Sequence, residues 1–186
     1  MKKRCKWANQ EPLITYHDTE WGRPQHNDLK LFEFLLLESA QAGLSWITIL
    51  KRRNGYRNAF SDFSPNIIAE FNTADVSRLM QNDSIIRNKR KILSAINNAK
   101  QFLKIQKEFG SFDNFIWEFT NRSTVLNNFE TIHDIPSYTT VSEKMSVSLK
   151  KHGFTFVGPT ICYAFMQAVG MVNDHTVDCY LYHKFF

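Results

Sequence analysis

Cys5, His17, His175 and Cys179 form two thiol–imidazole pairs near opposite ends of a 186-residue chain. Two thiolates and two imidazoles are the donors of a closed tetrahedral zinc shell, the structural kind with no position left for water. His175 and Cys179 stand four apart, which puts both on one face if that segment is helical. Drawn together, the four would close a loop of most of the chain and pin the N-terminal segment. The competing reading is of ordinary thiols and of histidines that pack or face water, and spacing alone does not select the metal over it. Cys162 sits among apolar neighbours and reads as a small buried hydrophobe.

Glu38 is the second candidate for chemistry. It follows Leu35-Leu36-Leu37, and an ionised carboxylate on so apolar a helix needs a reason to be there. The alternative is a solvated residue at a helix end. Tyr16, Trp21, Trp46 and Trp7 are large flat side chains that, taken alone, read as core packing.

The elements that must carry these groups read as helical almost throughout. Asp28 is a candidate cap for a helix through Leu31, Phe32, Leu35, Leu36 and Ser39, broken at Gly43. Leu44 to Lys51 resumes with Trp46, Ile47 and Leu50 on one side. Ser64-Pro65 opens a short helix to Phe71, and Thr73 repeats the capping signal. The longest helix runs from about Asn88 to Phe109 on a stripe of Ile92, Ile96, Ala99 and Leu103, and Gly110 stops it. Ser111 caps a short aromatic helix with Phe115, Trp117 and Phe119. Residues 120–141 read as a connection; Ser142 to Lys151 and Thr160 to Val169 are helical, separated by a stretch that includes Gly153 and Gly158-Pro159. No strand–helix alternation or repeat is visible, so the fold class expected is all-α, in one domain over 1–186.

Composition narrows the function classes. A net charge of +5 and a pI near 9.1 favour a polyanionic partner only weakly. Three cysteines are too few and odd in number for a secreted disulfide scaffold, and the basic start lacks the apolar run of a signal peptide. No stretch approaches the ~20 apolar residues of a membrane helix. A soluble, cytoplasmic monomer is expected.

Four blocks make the chain more specific: Tyr16-His17-Asp18-Thr19-Glu20-Trp21-Gly22, Glu38 to Trp46 (ESAQAGLSW), Phe156 to Gln167 (FVGPTICYAFMQ), and Val172-Asn173-Asp174-His175. In this order they closely resemble the bacterial 3-methyladenine DNA glycosylase I family, over nearly the whole chain. The resemblance implies a helix-hairpin-helix glycosylase fold, two helical lobes around a base pocket, with one structural zinc per chain held by Cys5, His17, His175 and Cys179 and joining the two terminal segments. It implies excision of 3-methyladenine from alkylated double-stranded DNA, with the free base as product. It places Glu38 in the pocket, as the catalytic candidate and as acceptor for an adenine's amino edge, among Tyr16, Trp46, Trp21 and Trp7. A base methylated at N3 is cationic while attached to the sugar, so aromatic faces and a carboxylate favour it over neutral adenine.

For the DNA, Gly153 to Pro159 reads as the hairpin, with Gly158 and Thr160 near a phosphate. Leu44, after Gly43, is a candidate wedge for the gap left by a flipped base. Lys150, Lys151, Lys51-Arg52-Arg53 and Arg87-Asn88-Lys89-Arg90-Lys91 are candidate backbone contacts, each equally a solvated face. Related repair glycosylases carry an aspartate where this chain has Asn173, with Asp174 one residue on; no motif-matched nucleophilic lysine is present. A monofunctional enzyme without lyase activity is expected. Two departures from the family pattern stand out: relatives have one more residue between the first cysteine and the Tyr-His pair, and the final residues 181–186 differ, adding His183 as a competing ligand for Cys179. Two other readings remain: a catalytically inactive, zinc-stabilised DNA-binding module, and a zinc hydrolase, which four protein ligands would exclude by closing the shell.

Overall fold

The computed structural model describes residues 2–184, so Phe185 and Phe186 of the divergent C-terminus lie outside it. The described residues form α1 (Leu13–Thr19), α2 (Asp28–Gln41), α3 (Trp46–Ala59), α4 (Pro65–Ala69), α5 (Thr73–Gln81), α6 (Lys89–Phe109), α7 (Phe112–Trp117), α8 (Thr140–Lys151) and α9 (Pro159–Ala168). The helical fold expected from the sequence is therefore observed. One detail differs. Val125–Leu126 (β1) pairs in parallel with Val172–Asn173 (β2), Val125 facing Val172. Two residues per strand carry no periodicity, which is why 120–141 read only as a connection.

α2 is the centre. Leu31 to Ala40 are all buried, because α2 packs against α3, α6, α7 and α9. α8 in turn packs on α9. A helix apolar all round is one buried all round, and that is what makes Glu33 and Glu38 on it informative. Glu33 is answered by Lys30, Arg53 and Arg57, each with a bond of 2.8 Å. Glu38 has no such partner among the described residues.

Several caps fall beside the residues expected. Asn27, not Asp28, accepts from the Lys30 amide at 3.0 Å. The Asp28 carboxylate instead accepts from the amides of Phe112 and Asp113, at 2.9 and 2.8 Å, and so fastens the start of α7. Asn72 rather than Thr73 caps α5, and α8, expected from Ser142, begins at Thr140 with Thr139 as its cap and Ser142 closing the capping box. Ser111 caps α7 as expected, Asn88 caps α6 where that helix was expected to begin, and Gly110 ends α6 at a φ of 84°.

Candidate active site and metal centre

The four proposed ligands meet. Cys5, His17, His175 and Cys179 are buried, and their ligand atoms lie within 4.8 Å of one another. Cys179 Sγ is 3.4 Å from His17 Nε2 and 3.5 Å from His175 Nδ1, and Cys5 Sγ is 3.5 Å from His175 Nδ1. An ion with about 2.3 Å bonds to sulfur and about 2.05 Å bonds to nitrogen, in tetrahedral array, requires sulfur–nitrogen edges of about 3.5 Å. The donor set fits a metal. The Cys179 thiol is driven strongly down by its bonds from Cys5 and the two imidazoles, while the bond to Cys179 and burial drive Cys5 up. His175 and Cys179 do not share a helix, so the condition under which their spacing would put them on one helix face is not met. They sit in a turn closed by the Cys179 amide on the Thr176 carbonyl at 2.7 Å.

The surroundings orient the ligands. His17 Nδ1 lies 2.9 Å from Asp18 Oδ1, a carboxylate–histidine pair that fixes which nitrogen faces the cluster. Asp18 is clamped in turn by Arg4 at 2.8–3.0 Å, which holds its carboxyl well below the usual range. Gly22, at a φ of 75°, leaves room for the His175 ring: a Cβ there would lie 2.9 Å from Nε2. His183 is exposed beside Tyr182, away from the cluster.

A cavity of about 480 Å³ opens beside the metal centre, within the range of small-molecule sites. Its lining comes from α1 (Leu13, Tyr16), α2 (Glu38, Gln41), α3 (Trp46, Ile47) and α9 (Ala164, Gln167), with Trp7, Trp21, Ser45, Ile132 and Ile135. All five residues expected to bind a base are therefore on one wall system. Trp7 stands edge-on to Trp21 at 5.0 Å and is tilted to Tyr16 at 6.3 Å; Tyr16 meets Trp46 at 5.4 Å. Trp21 also packs on His175 at 4.7 Å, and Trp7 on His17 at 5.3 Å. His17 and His175 of the candidate metal cluster thus back two cavity walls.

Glu38 is 4% exposed, and burial pushes its carboxyl up to about 8. It is the one carboxylate among the described lining residues. Burial also raises the Tyr16 phenol well above its ordinary value, with the Glu38 charge adding to the effect. Such a cavity takes a flat, apolar-faced guest and reads one polar edge of it.

Gly43 and Leu44 project from the rim. Gly43 turns the chain at a φ of 76°, and Leu44 is 37% exposed. The loop is braced by Gln41 Nε2 on the Leu44 carbonyl at 2.8 Å. Residues 152–158 form the hairpin between α8 and α9. Gly158 caps α9, and a Cβ there would meet nothing within 4 Å, so the space in front of this helix start is open; Thr160 beside it is exposed. Exposed Arg87, Lys89, Arg90, Lys150 and Lys151 remain available to a polyanion. Three other members of the basic clusters are engaged within the protein. Arg53 binds Glu20 and Glu33, Arg52 donates to the Asp83 carbonyl at 2.6 Å, and Lys91 donates to two carbonyls at the end of α2.

Asn173 and Asp174 are both buried and engaged. Asn173 donates to the Tyr182 carbonyl at 2.8 Å, and Asp174 accepts from Tyr163, Gln167 and Asn127, at 2.7 Å each. Neither lines the cavity, though Gln167, held by Asp174, does. Sequence reasoning missed Gln167, Gln41, Ile132 and Ile135. Gln167 stands within one of the four blocks, and Gln41 within another, so the blocks were a usable signal; the loop isoleucines had none.

Comparison with known proteins agrees with this geometry. A profile described as methyladenine glycosylase matches residues 7–183. DNA-3-methyladenine glycosylase 1 of Escherichia coli (strain K12) is 48% identical over 181 residues, 97% of this chain and 97% of that protein. A crystal structure of 3-methyladenine DNA glycosylase I has a TM-score of 0.93 at 46% identity, over 96% of this chain and 98% of that one. A third similar protein, from Staphylococcus aureus, has 35% identity and a TM-score of 0.92 over 95% of both chains; its structure concerns 3-methyladenine recognition by that glycosylase.

Proposed function

The chain belongs to the methyladenine glycosylase family, and from that premise we propose that it flips 3-methyladenine out of duplex DNA and hydrolyses the bond to its sugar. One observation carries the reading: a base-sized cavity with a buried carboxyl, Glu38, among Tyr16, Trp21, Trp46 and Trp7. A protein that only gripped DNA would not need that hollow.

The chemistry follows from the substrate. The methylated base carries positive charge until the glycosidic bond breaks; the bonding pair then leaves with the base, which departs neutral. The sugar carbon acquires oxocarbenium character, and water adds there and loses a proton. Little acid catalysis of departure is required. Residues 7, 16, 21 and 46 hold the base by stacking and cation–π attraction, each contact worth about 0.5–2 kcal/mol. Glu38 accepts from the amino edge and attracts the charge, and a guanine's carbonyl edge would face it unfavourably. Leu44, on the Gly43 turn, fills the gap in the duplex, while Gly158 and Thr160 approach a phosphate. Asn173 and Asp174 are left without a direct part.

We assign zinc to the Cys5–His17–His175–Cys179 cluster, one ion per chain, structural rather than catalytic, since four protein donors leave no position for water. We treat residues 1–186 as one functional domain acting as a monomer on double-stranded DNA. No helix of the described residues is long and apolar enough to cross a membrane, and we place the protein in the cytoplasm.

Incubation with methylated duplex DNA, followed by chromatography of the released bases, tests the proposal. Free 3-methyladenine should appear with the wild type and fall sharply with Glu38→Ala at unchanged fold. Undiminished release by Glu38→Ala would remove Glu38 from the site, and no release by the wild type would end the glycosylase reading.

A further inference from the structure

Lys91 is one of five residues in a row, 87–91, of which four are basic, yet its ammonium faces the protein. Nζ donates to the carbonyls of Ala40 and Ala42, at 2.7 Å each. These carbonyls belong to the end of α2 and to the residue that follows it, where the helix leaves groups without intrahelical partners. A cation there is favoured both by the bonds themselves and by the negative end of the helix dipole. Ala42 is the residue before Gly43, and Leu44 comes next. Lys91 therefore anchors the base of the exposed turn, while Gln41 holds its far side through the Leu44 carbonyl.

The same helix grips the hairpin. From Lys91, positions 94 and 98 recur at helical spacing on one face of α6. Asn98 exchanges two bonds with Thr155, its amide donating to the Thr155 carbonyl and its oxygen accepting from the Thr155 amide, at 2.9 Å each. Ser94 donates to the same carbonyl at 3.2 Å. Ser39 on α2 reaches the Phe156 carbonyl, also at 3.2 Å. A polar stripe on α6 thus spans the two features proposed to face DNA.

We propose that Lys91 is a positioning residue for base flipping: it fixes the 42–45 turn, and so Leu44, relative to the hairpin. Lys91 is absent from the lining of the cavity that Glu38 and Tyr16 share. It acts through the turn, when the duplex must be opened, and not on the affinity of the cavity for a base already free. This inference rests on the glycosylase reading.

The test separates the two steps. Release of 3-methyladenine from methylated duplex is followed under single-turnover, saturating conditions for wild type, K91M, K91Q and K91R. Binding of free 3-methyladenine is measured alongside by quenching of tryptophan fluorescence. K91M should release the base at least tenfold more slowly, K91Q less so, and K91R should recover most of the rate. All four should bind the free base within about twofold of one another. K91M or K91Q matching the wild type in release would overturn the role, and so would a parallel loss of release and free-base binding, which would make Lys91 a general support of the pocket. If K91M does not fold, K91Q and K91R carry the same comparison. A wild type inert on the duplex would instead overturn the glycosylase reading, and this inference with it.

Discussion

Replacing Glu38 by glutamine removes a titratable group from a place that penalises its charge. Burial raises the carboxyl from its ordinary 4.5 to about 8. The unfolded chain gives up this proton near pH 4.5, whereas the folded protein keeps it to about pH 8. Between those limits the folded state binds more protons, so raising the pH favours unfolding. The penalty begins near the lower limit, grows through the window and is constant above the upper one. With each pKa unit equivalent to about 1.4 kcal/mol, the penalty is about 1 kcal/mol at pH 5, about 3 at pH 7 and about 5 at pH 9. Glutamine has nearly the same shape and does not titrate. The stability of E38Q relative to wild type should therefore improve by about 4 kcal/mol from pH 5 to pH 9. Urea unfolding of both proteins, at matched zinc and salt, measures it, and titrations common to both cancel in the difference. A difference flat to within about 1 kcal/mol would refute the buried, uncompensated carboxyl. An opposite trend would mean that Glu38 is ionised and held by a donor.

Two other perturbations address the remaining parts of the site. Gly22→Ala puts a methyl 2.9 Å from His175 Nε2 at a φ of 75°, and should lower stability by about 1–3 kcal/mol and loosen the metal together; thermal unfolding with metal analysis after dialysis against a chelator checks it, and unchanged values would show that the ring can shift. Binding to duplex DNA should weaken as salt rises, the logarithmic slope growing by about 0.9 for each phosphate neutralised; affinity independent of salt would contradict a role for Arg87, Lys89, Arg90, Lys150 and Lys151.

The long helices were legible because their causes are local. Asn88, the Ile92–Ile96–Ala99–Leu103 stripe and Gly110 lie within one stretch of chain, and the structure has α6 there. Short or tertiary features were not. α1 has only seven residues, too few for a period to emerge. Asp28 carries the signature of a cap, but tertiary contact turns its carboxylate to α7 and leaves the capping to Asn27. The metal ligands show the same limit. Nothing local to Cys5 points to a partner at 175, and only the four family-like blocks brought the two ends together. Charge runs were the least reliable guide: Arg53 and Lys91 read as surface cations, yet each answers a demand from α2, one from a carboxylate and one from carbonyls.

The proposed role of Glu38 depends on how costly its ionisation is, and the magnitudes allow a decision. With a carboxyl pushed up to about 8, ionising it at pH 7 costs about 1.4 kcal/mol. A cation about 4 Å away, at an effective dielectric constant near 20, returns about 4 kcal/mol. An alkylated base still attached to its sugar can therefore drive Glu38 into the charged state, whereas neutral adenine leaves it protonated and gains no such attraction. On this proposal, bond cleavage would remove the positive charge from the base, the attraction would end, and Glu38 would take up its proton again. Selection of the lesion and loosening of the product then follow from the same burial. A cavity polar enough to keep Glu38 ionised throughout would hold the carboxylate with donors of its own, and the difference in affinity between cation and neutral base would shrink.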